Sequence, residues 1–595
     1  MEKRKRKIRF LKWFSGIFLL VALLLAAASW MISIKLRPYI RQEITALVHK
    51  STSGLYHIEF SSFHTNFITG TAVINDVKIY PDTVVFKQLI AEKKAPNNLY
   101  HIALKQLSVR HFHPLMMYFR KKAKINQLLF DKPQVTMVNR HFDFNDDRPP
   151  RPRKSPYDYI SKLFSALHIE TIDFKHVNFK YINNNGPVPD IDSVANLNVT
   201  FKDWLIDARS AADTSRLYLL KAIEIDLSNY RYATPDSMYF IQLDQLTFQS
   251  STGKLNIKQL GLQPRYSEAD FARVNGYARD RFTLKLNNLE WQGIDLPAYV
   301  QKQELMARKM TVSDGQLAVY NDNRFPKRSV NRTGRFPHQL LQQLRARLSV
   351  DTINLHDIDI RYSEFDAESR QTGTITFEKT GGIIRNVTNI PKKKVQNPLI
   401  TADLESYVMG QGKLKVAFTF DLHSPKGAFN YTGELTHLDG RTLNRITKPL
   451  GMVQVNRGDI KSFLFNVNAD EDVAKGKVEF RYQNLSVALM KKEYGKDRLV
   501  RQGLISFLAN NLVIYSDNPS ADGRFTAAPL QYKRETTASF FNYIWKTLFQ
   551  GAKYSIGVSP VKEQEIRLQI RRFEQMKAER EERRWRRQQR KNRND

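Results

Sequence analysis

The chain has 595 residues, 93 Lys+Arg against 59 Asp+Glu for a formal net charge of +34, and no cysteine. Its length accommodates about four domains of ordinary size or one repeat array, and the lack of thiols excludes a disulfide-stapled scaffold and any cysteine-held zinc or iron–sulfur centre. With 42% hydrophobic residues it is not a disordered polyelectrolyte, so the charge belongs to a folded body and its tails, with nucleic acid, anionic lipid or an acidic polymer as partner.

Lys3, Arg4, Lys5, Arg6, Lys7, Arg9 and Lys12 precede an uncharged run of 22 residues, Trp13 to Ile34. As a helix that run measures about 33 Å, enough to cross a bilayer. Positive residues ahead of it hold the N-terminus in the cytosol and send the rest across. A cleaved signal peptide competes, because Ala26, Ala27, Ala28 and Ser29 offer a small-residue cleavage site. The apolar run continues through Trp30, Met31, Ile32 and Ile34, which favours an uncleaved anchor. The expected order is a cytosolic leader (1–12), a transmembrane anchor (13–34) and a connecting helix (35–59). An exported body meets no chromosome, so nucleic acid drops out as the partner.

From about 55 to 530 the pattern is that of strands. In Lys413 to Leu422, Leu414, Val416, Phe418, Phe420 and Leu422 fall on one face and Lys413, Lys415, Ala417, Thr419 and Asp421 on the other. Similar stretches occur at Tyr218 to Leu227, Phe282 to Trp291 and Phe463 to Val467. Few long amphipathic helices are present to cover these faces, which predicts a mainly β, antiparallel architecture.

The strand region is duplicated. Thr69-Gly70, Ala72, Ile74, Val77, Ile79 and Pro81 recur as Thr252-Gly253, Leu255, Ile257, Leu260, Leu262 and Pro264. Leu167, Ile169, Ile172, Phe174, Val177, Phe179 and Tyr181 recur as Leu348, Val350, Ile353, Leu355, Ile358, Ile360 and Tyr362. Two repeats are expected, 60–242 and 243–430, followed by a C-terminal β region, 431–535. Within them Pro114, Pro156, Pro297 and Pro337 each open a short helical stretch, where the missing N–H costs nothing. Hairpin turns are expected after them at Asp131-Lys132-Pro133, Lys175-His176, Ser313-Asp314-Gly315 and His356-Asp357.

Near the C-terminus, 537–556 places Phe540, Phe541, Ile544, Trp545, Leu548 and Phe549 on a broad helical stripe. Such a helix lies in a bilayer interface or caps an open sheet. The charged stretch 562–595 ends in Arg583, Arg584, Arg586, Arg587, Arg590, Lys591 and Arg593, with no acid among them. It is either a tail that seeks anionic lipid or a solvated terminus. Two loops at matching places in the repeats are also basic, with Arg140, Arg148, Arg151, Arg153 and Lys154 in one and Arg324, Lys327, Arg328, Arg332 and Arg335 in the other.

Catalytic motifs are missing: G-x-S-x-G, H-E-x-x-H, the P-loop and G-x-G-x-x-G do not occur. Asp143, Asn145, Asp146 and Asp147 hint at a calcium loop, but Arg148 stands at the glycine position and Lys154 at the bidentate glutamate position of an EF-hand. His111 and His113 form the one close histidine pair. The sequence gives no catalytic residue, no metal site and no cofactor, and the chain is read as a non-enzyme.

With its basic N-terminus and single span, the chain resembles the AsmA-like family of bacterial envelope proteins. The resemblance also rests on the stretch from Gly54 to Phe60, the Thr69 to Pro81 strand pair, and the unit Pro114-Leu115-Met116-Met117-Tyr118-Phe119, Ile125, Leu128, Phe130, Pro133, Val135. A late segment, Gly458-Asp459-Ile460 through Phe463-Phe465 to Gly476 and Tyr482-Gln483-Asn484-Leu485, is similar to the C-terminal part of some members. The resemblance implies an anchor in the inner membrane of a diderm bacterium and a periplasmic body. It further implies an elongated, curled β-groove, related to chorein-like lipid-transfer proteins, whose apolar inner face carries phospholipid acyl chains. Phe174, Val177, Phe179, Ile358, Ile360, Leu414, Val416, Phe418 and Phe420 are candidates for that lining. Core positions in a pair of β-sandwiches are the competing assignment. Two other functions stay open: an assembly factor for outer-membrane proteins, and an enzyme acting on an acidic envelope polymer.

Overall fold

The computed structural model describes residues 37–584, apart from 67–68, 114–115, 117–118, 147–154, 327–330, 493–498, 502–513, 559–560 and isolated positions after 562. The expected leader and anchor lie outside these residues. Among the described residues no helix is long and apolar enough to cross a membrane. The chain is mainly β and divides into two compact units, one running to Gly261 with Asn288–Leu305, the other comprising Leu262–Asn287 and Met306 onward.

The first unit is built on β1 (Tyr56–Glu59), β2 (Ser62–Asn66), β3 (Thr71–Pro81), β4 (Asn98–Phe112), β5 (Lys122–Asp131), β6 (Gln134–Asn139), β7 (Ala166–Asn183), β8 (Asp190–Asp207), β9 (Ala222–Ala233) and β10 (Tyr239–Gln249). Neighbours pair in chain order, with β1 and β2 sharing the edge of β3. The sheet is mixed rather than wholly antiparallel: β5 and β6 run antiparallel to β4 but parallel to β7. The parallel pairing follows from the long connection after β6, which contains the helix Pro156–Ile160 and returns the chain to the starting end of β5.

Strands β11 (Lys254–Pro264), β12 (Arg281–Gln292) and β13 (Glu304–Asp322) contribute residues to both units. The second unit continues with β14 (Arg347–Phe365), β15 (Thr372–Thr388), β16 (Leu399–Val408), β17 (Gly412–Asp421), β18 (Phe429–Asp439), β19 (Val453–Ala469), β20 (Val473–Lys492), β21 (Leu499–Arg501) and β22 (Ala527–Lys533). From β14 to β20 each strand pairs antiparallel with the next, and β22 pairs with β20.

The expected hairpin turns are not turns. Lys175-His176 lies inside β7, Ser313-Asp314-Gly315 inside β13 and His356-Asp357 inside β14. Lys132-Pro133 separates β5 from β6, yet both keep one continuous register against β4 and β7. In β7 and β14 the apolar residues step by two, then once by three, as in Phe174 to Val177 and Leu355 to Ile358; β13 has no left-handed residue. The added residue stands in the left-handed backbone region: Asp76 (φ 52°), Lys132 (51°), His176 (55°), Asn196 (55°), Asn229 (55°), Asn288 (50°), Asp357 (52°) and Lys379 (50°). Asn and Asp tolerate that conformation best among residues with a side chain. In the first unit these positions are lateral neighbours, Asp76 and Lys132 flanking Lys105 of β4 and His176 standing beside Lys132. They form one crease across the sheet. An extra residue of this kind bends a strand and raises its twist while returning the following side chains to the same face.

The helices expected at Pro156, Pro297 and Pro337 form as the spacing predicts, while Pro114 lies outside the described residues. Ser155 caps Pro156–Ile160 and its backbone N–H donates to Asp158 Oδ2 at 2.7 Å, while the Phe336 N–H donates to Gln339 Oε1 at 3.0 Å ahead of Pro337–Gln343. The repeated Thr-Gly pair has one backbone role in both copies. Gly70 and Gly253 each have φ near 61°, and each carbonyl accepts a 2.9 Å bond from a backbone N–H, that of Phe112 at the end of β4 and that of Ile294 just after β12 respectively. A Cβ on Gly70 would lie 2.3 Å from the Phe112 carbonyl oxygen.

Candidate functional site

Register resolves each unit into lateral rows of side chains of one character. In the first unit Ile74, Leu107, Phe130, Phe174, Val199, Ile225 and Phe248 stand side by side across seven strand positions. The row one residue away, Ser108, Leu129, Asp173, Thr200, Glu224 and Gln249, is mostly polar and faces the opposite way. In the second unit Ile353, Ile384, Ala402, Phe418, Tyr431, Val467, Gly476 and Leu530 form one row. Arg385, Thr401, Thr419, Asn430, Asn468, Lys475 and Gln531 form its polar neighbour. Each unit thus has one apolar sheet face.

Part of that face is covered by the chain itself. In the first unit Ile44 and Val48 of the helix Arg37–Ser51 and Ile160 and Phe164 of the Pro156 segment join a buried cluster with β3, β4, β5 and the first half of β7. Phe130 and Phe174 stack at 4.5 Å within it, and Phe201 meets Phe174 edge-on at 5.9 Å. Phe174 is buried, while Val177 and Phe179 are half-buried at the cluster's margin. Val199, Phe201 and Trp204 of β8 also pack against the cluster. Ile223, Ile225 and Leu227 of β9 and Leu246 of β10 are half-buried, Leu243 and Phe248 of β10 are buried, and no helix packs closely on either strand among the described residues.

In the second unit the helix Phe540–Ser555 lies on β20 and β22. Its inward positions are Tyr543, Thr547, Gly551 and Ser555, all buried, and a Cβ on Gly551 would meet Val478 Cγ2 at 2.5 Å. The first turn reaches farther, setting the Phe540 ring 5.2 Å from Phe429 and 6.1 Å from Phe420. Leu414, Val416, Phe418 and Phe420 are half-buried beside this aromatic cluster. Ile358 is buried, and Ile360, Ile353, Ile384 and Leu404 are half-buried; the helix Asn444–Gly451 packs on β14 and β15, with Leu450 against Gly373. Of the six C-terminal helix residues, Phe540, Ile544 and Leu548 pack against the cluster, whereas Phe541 is 63% exposed and Trp545 37%.

These half-buried residues of β9, β10 and β16 are not among the lining candidates expected from the sequence, although Ile223-Glu224-Ile225-Asp226-Leu227 alternates strictly.

His338 follows Phe336 at the start of the helix Pro337–Gln343 and sits 4% exposed beside Phe420 at 5.0 Å and Phe336 at 6.1 Å. Burial among these rings pushes its pKa down to about 4. Arg534, also buried, stacks over the Phe336 ring at 4.3 Å and donates to the Arg332 carbonyl at 3.0 Å. The loop ahead of Pro337 is therefore tied into the second unit, and two of its arginines have acidic partners: Arg324 pairs with Asp322 at 2.5 Å and Arg332 with Asp280 at 3.4 Å. Arg335 is exposed, and Lys327 and Arg328 lie outside the described residues. In the matching first-unit loop Arg140 lies over the Phe142 ring, 5.4 Å from its centroid, and Arg148, Arg151, Arg153 and Lys154 are outside. Arg583 and Arg584 are exposed; Arg586, Arg587, Arg590, Lys591 and Arg593 are not described.

The structure brings together His141, Asp143 and Asp146, with His141 Nε2 at 3.4 Å and 3.1 Å from the two carboxylates. Three ligand atoms within 4.8 Å of one another could hold a divalent ion, but both aspartates are exposed and direct contact of the imidazole with the two carboxylates accounts for the same geometry. His113 contacts Asn126 at 3.2 Å rather than a second metal ligand.

In comparison with known proteins, the chain matches no family model and no curated protein.

Proposed function

We propose that the protein is an AsmA-like envelope protein, anchored by its N-terminal apolar run, whose exported β body shields phospholipid acyl chains between membranes. The observation that carries this reading is the apolar row on one face of each unit, in which Ile225 and Leu227 of β9, Leu246 of β10 and Leu404 of β16 are only half-buried with no helix packed closely on those strands among the described residues. A sheet face of this kind hides behind a second sheet, helices or an apolar ligand; among the described residues the helix Asn444–Gly451 lies against β14 and β15, while no helix packs closely on β9, β10 or β16. Each methylene moved from water onto such a face contributes about 0.8 kcal/mol, so a whole acyl chain is held by surface area without a specific pocket. Successive strands advance the row by about 4.8 Å, and a chain can step from strand to strand without meeting water. Head groups remain in solvent. Movement along the face is passive, and its direction comes from a gradient or a partner. The elongated, curled groove and the inner-membrane location belong to this proposal.

The test is lipid copurification. Extraction and mass spectrometry of the purified protein are expected to yield phospholipid, and the folded variant Ile225→Asp/Leu227→Asp is expected to lose most of it. Undiminished lipid in that folded variant, or β-barrel clients in its place, would contradict the proposal.

A further inference from the structure

The helix Phe540–Ser555 is fixed by one face and presents another. Its small and buried positions, Thr547, Gly551 and Ser555, seat it against β20 and β22, so the helix cannot roll without opening that contact. On the outer side Phe541, Trp545 and Phe549 follow one another at four-residue steps, which align on a helix. Phe541 is 63% exposed and Trp545 37%, and the Trp545 and Phe549 rings stack at 5.4 Å. These rings are not needed for the docking of the helix. Lys553 lies over the Phe549 ring, 5.6 Å from its centroid, and Lys546 borders the stripe while pairing with Glu535 at 2.9 Å. At the C-terminal end of the helix Tyr515, 45% exposed, donates its N–H to the Ile556 carbonyl at 3.0 Å, and Lys562 stands 5.8 Å over its ring.

We propose that this outer stripe docks on an anionic membrane leaflet. Trp, Tyr and Phe interleaved with Lys is the chemistry of the bilayer interface, where rings enter the boundary between head groups and acyl chains and ammonium groups stay at the phosphates. The occupant is chosen by charge. The sequence that follows the helix carries 13 basic and 7 acidic residues from Lys562 to Asp595, with none of the acids among 583–593. A second copy of a chain with net charge +34 would bring the same sign to the same face, whereas an anionic leaflet complements it. The two sides of the helix thereby divide the alternatives left open by its sequence, one side covering the sheet and the other meeting lipid. The inference does not rest on acyl-chain shielding by the sheet: lipid copurification can fail while docking persists, and the reverse.

The experiment uses the full chain reconstituted in phosphatidylcholine nanodiscs, so that its N-terminal apolar run is already occupied, and measures co-flotation with separate vesicles of phosphatidylcholine with or without phosphatidylglycerol. The expected result is flotation with phosphatidylglycerol vesicles only, above empty discs. The variant Phe541→Ser/Trp545→Ser/Phe549→Ser is expected to bind at least about tenfold more weakly, since three rings leave the apolar boundary, with its thermal unfolding midpoint unchanged. Wild-type affinity in the triple variant would overturn the proposal. So would equal binding to neutral vesicles, or self-association of the discs that disappears in the variant.

Discussion

At the scale of single residues, the left-handed positions within strands are the most informative feature. Asn196 holds φ at 55° in the middle of β8, and Asp357 holds 52° in β14. A β-branched residue there must strain its backbone or erase the crease. Asn196→Val is therefore expected to cost roughly 1–3 kcal/mol and Asn196→Gly to be near neutral, as read from thermal or denaturant unfolding. A large loss in the Gly variant would show that the side chain, not the backbone, is what matters. His338 sets a pH dependence. Its pKa falls from 6.5 to about 4 on folding, so between those values the unfolded chain binds the extra proton. Stability from this site is complete above about pH 7, declines as pH falls through that window, and by pH 4 has lost about 3 kcal/mol. His338→Leu is expected to flatten that part of the curve of unfolding free energy against pH; an unchanged slope would reject the assignment.

At the scale of elements, alternation along the strands was legible and the three-residue steps within it were misread. The pairs Ile74/Val77, Leu104/Leu107, Phe174/Val177 and Leu355/Ile358 are plain in the sequence. Lys175-His176 and His356-Asp357 contain neither Gly nor Pro, which is the local sign that the chain bends there without reversing. The parallel pairing of β5 with β7 was not legible, because it depends on where the connection after β6 returns. The C-terminal helix was legible as amphipathic over its whole width, but its two-sided use depends on Gly551 approaching Val478, which no local pattern marks. Gly551→Leu is expected to overpack that contact at about 1–3 kcal/mol and lift the helix. Trypsin cleavage at Lys533 and Arg534 and binding of a hydrophobic dye should then both rise, and wild-type protection in the variant would show that the helix is held elsewhere.

At the scale of the whole molecule, the duplication read from the sequence corresponds to repeated elements and not merely to repeated residues. Gly70 and Gly253 make the same bond, and the helices Pro156–Ile160 and Pro337–Gln343 precede the equivalent long strands β7 and β14. Duplication of a one-faced sheet multiplies apolar surface faster than short helices can cover it. The surplus includes the half-buried Ile225 and Leu227 of β9, Leu246 of β10 and Leu404 of β16. Acyl-chain shielding is the use proposed for it. The most direct measurement is site-specific photo-crosslinking in cells, with a photoreactive side chain placed singly at Leu246 and Leu404 on the apolar face and at their neighbours Thr247 and Glu405 on the polar face. Phospholipid adducts at Leu246 and Leu404 with none at Thr247 and Glu405 are the predicted result. Equal labelling of both faces, or protein adducts alone at Leu246 and Leu404, would contradict it.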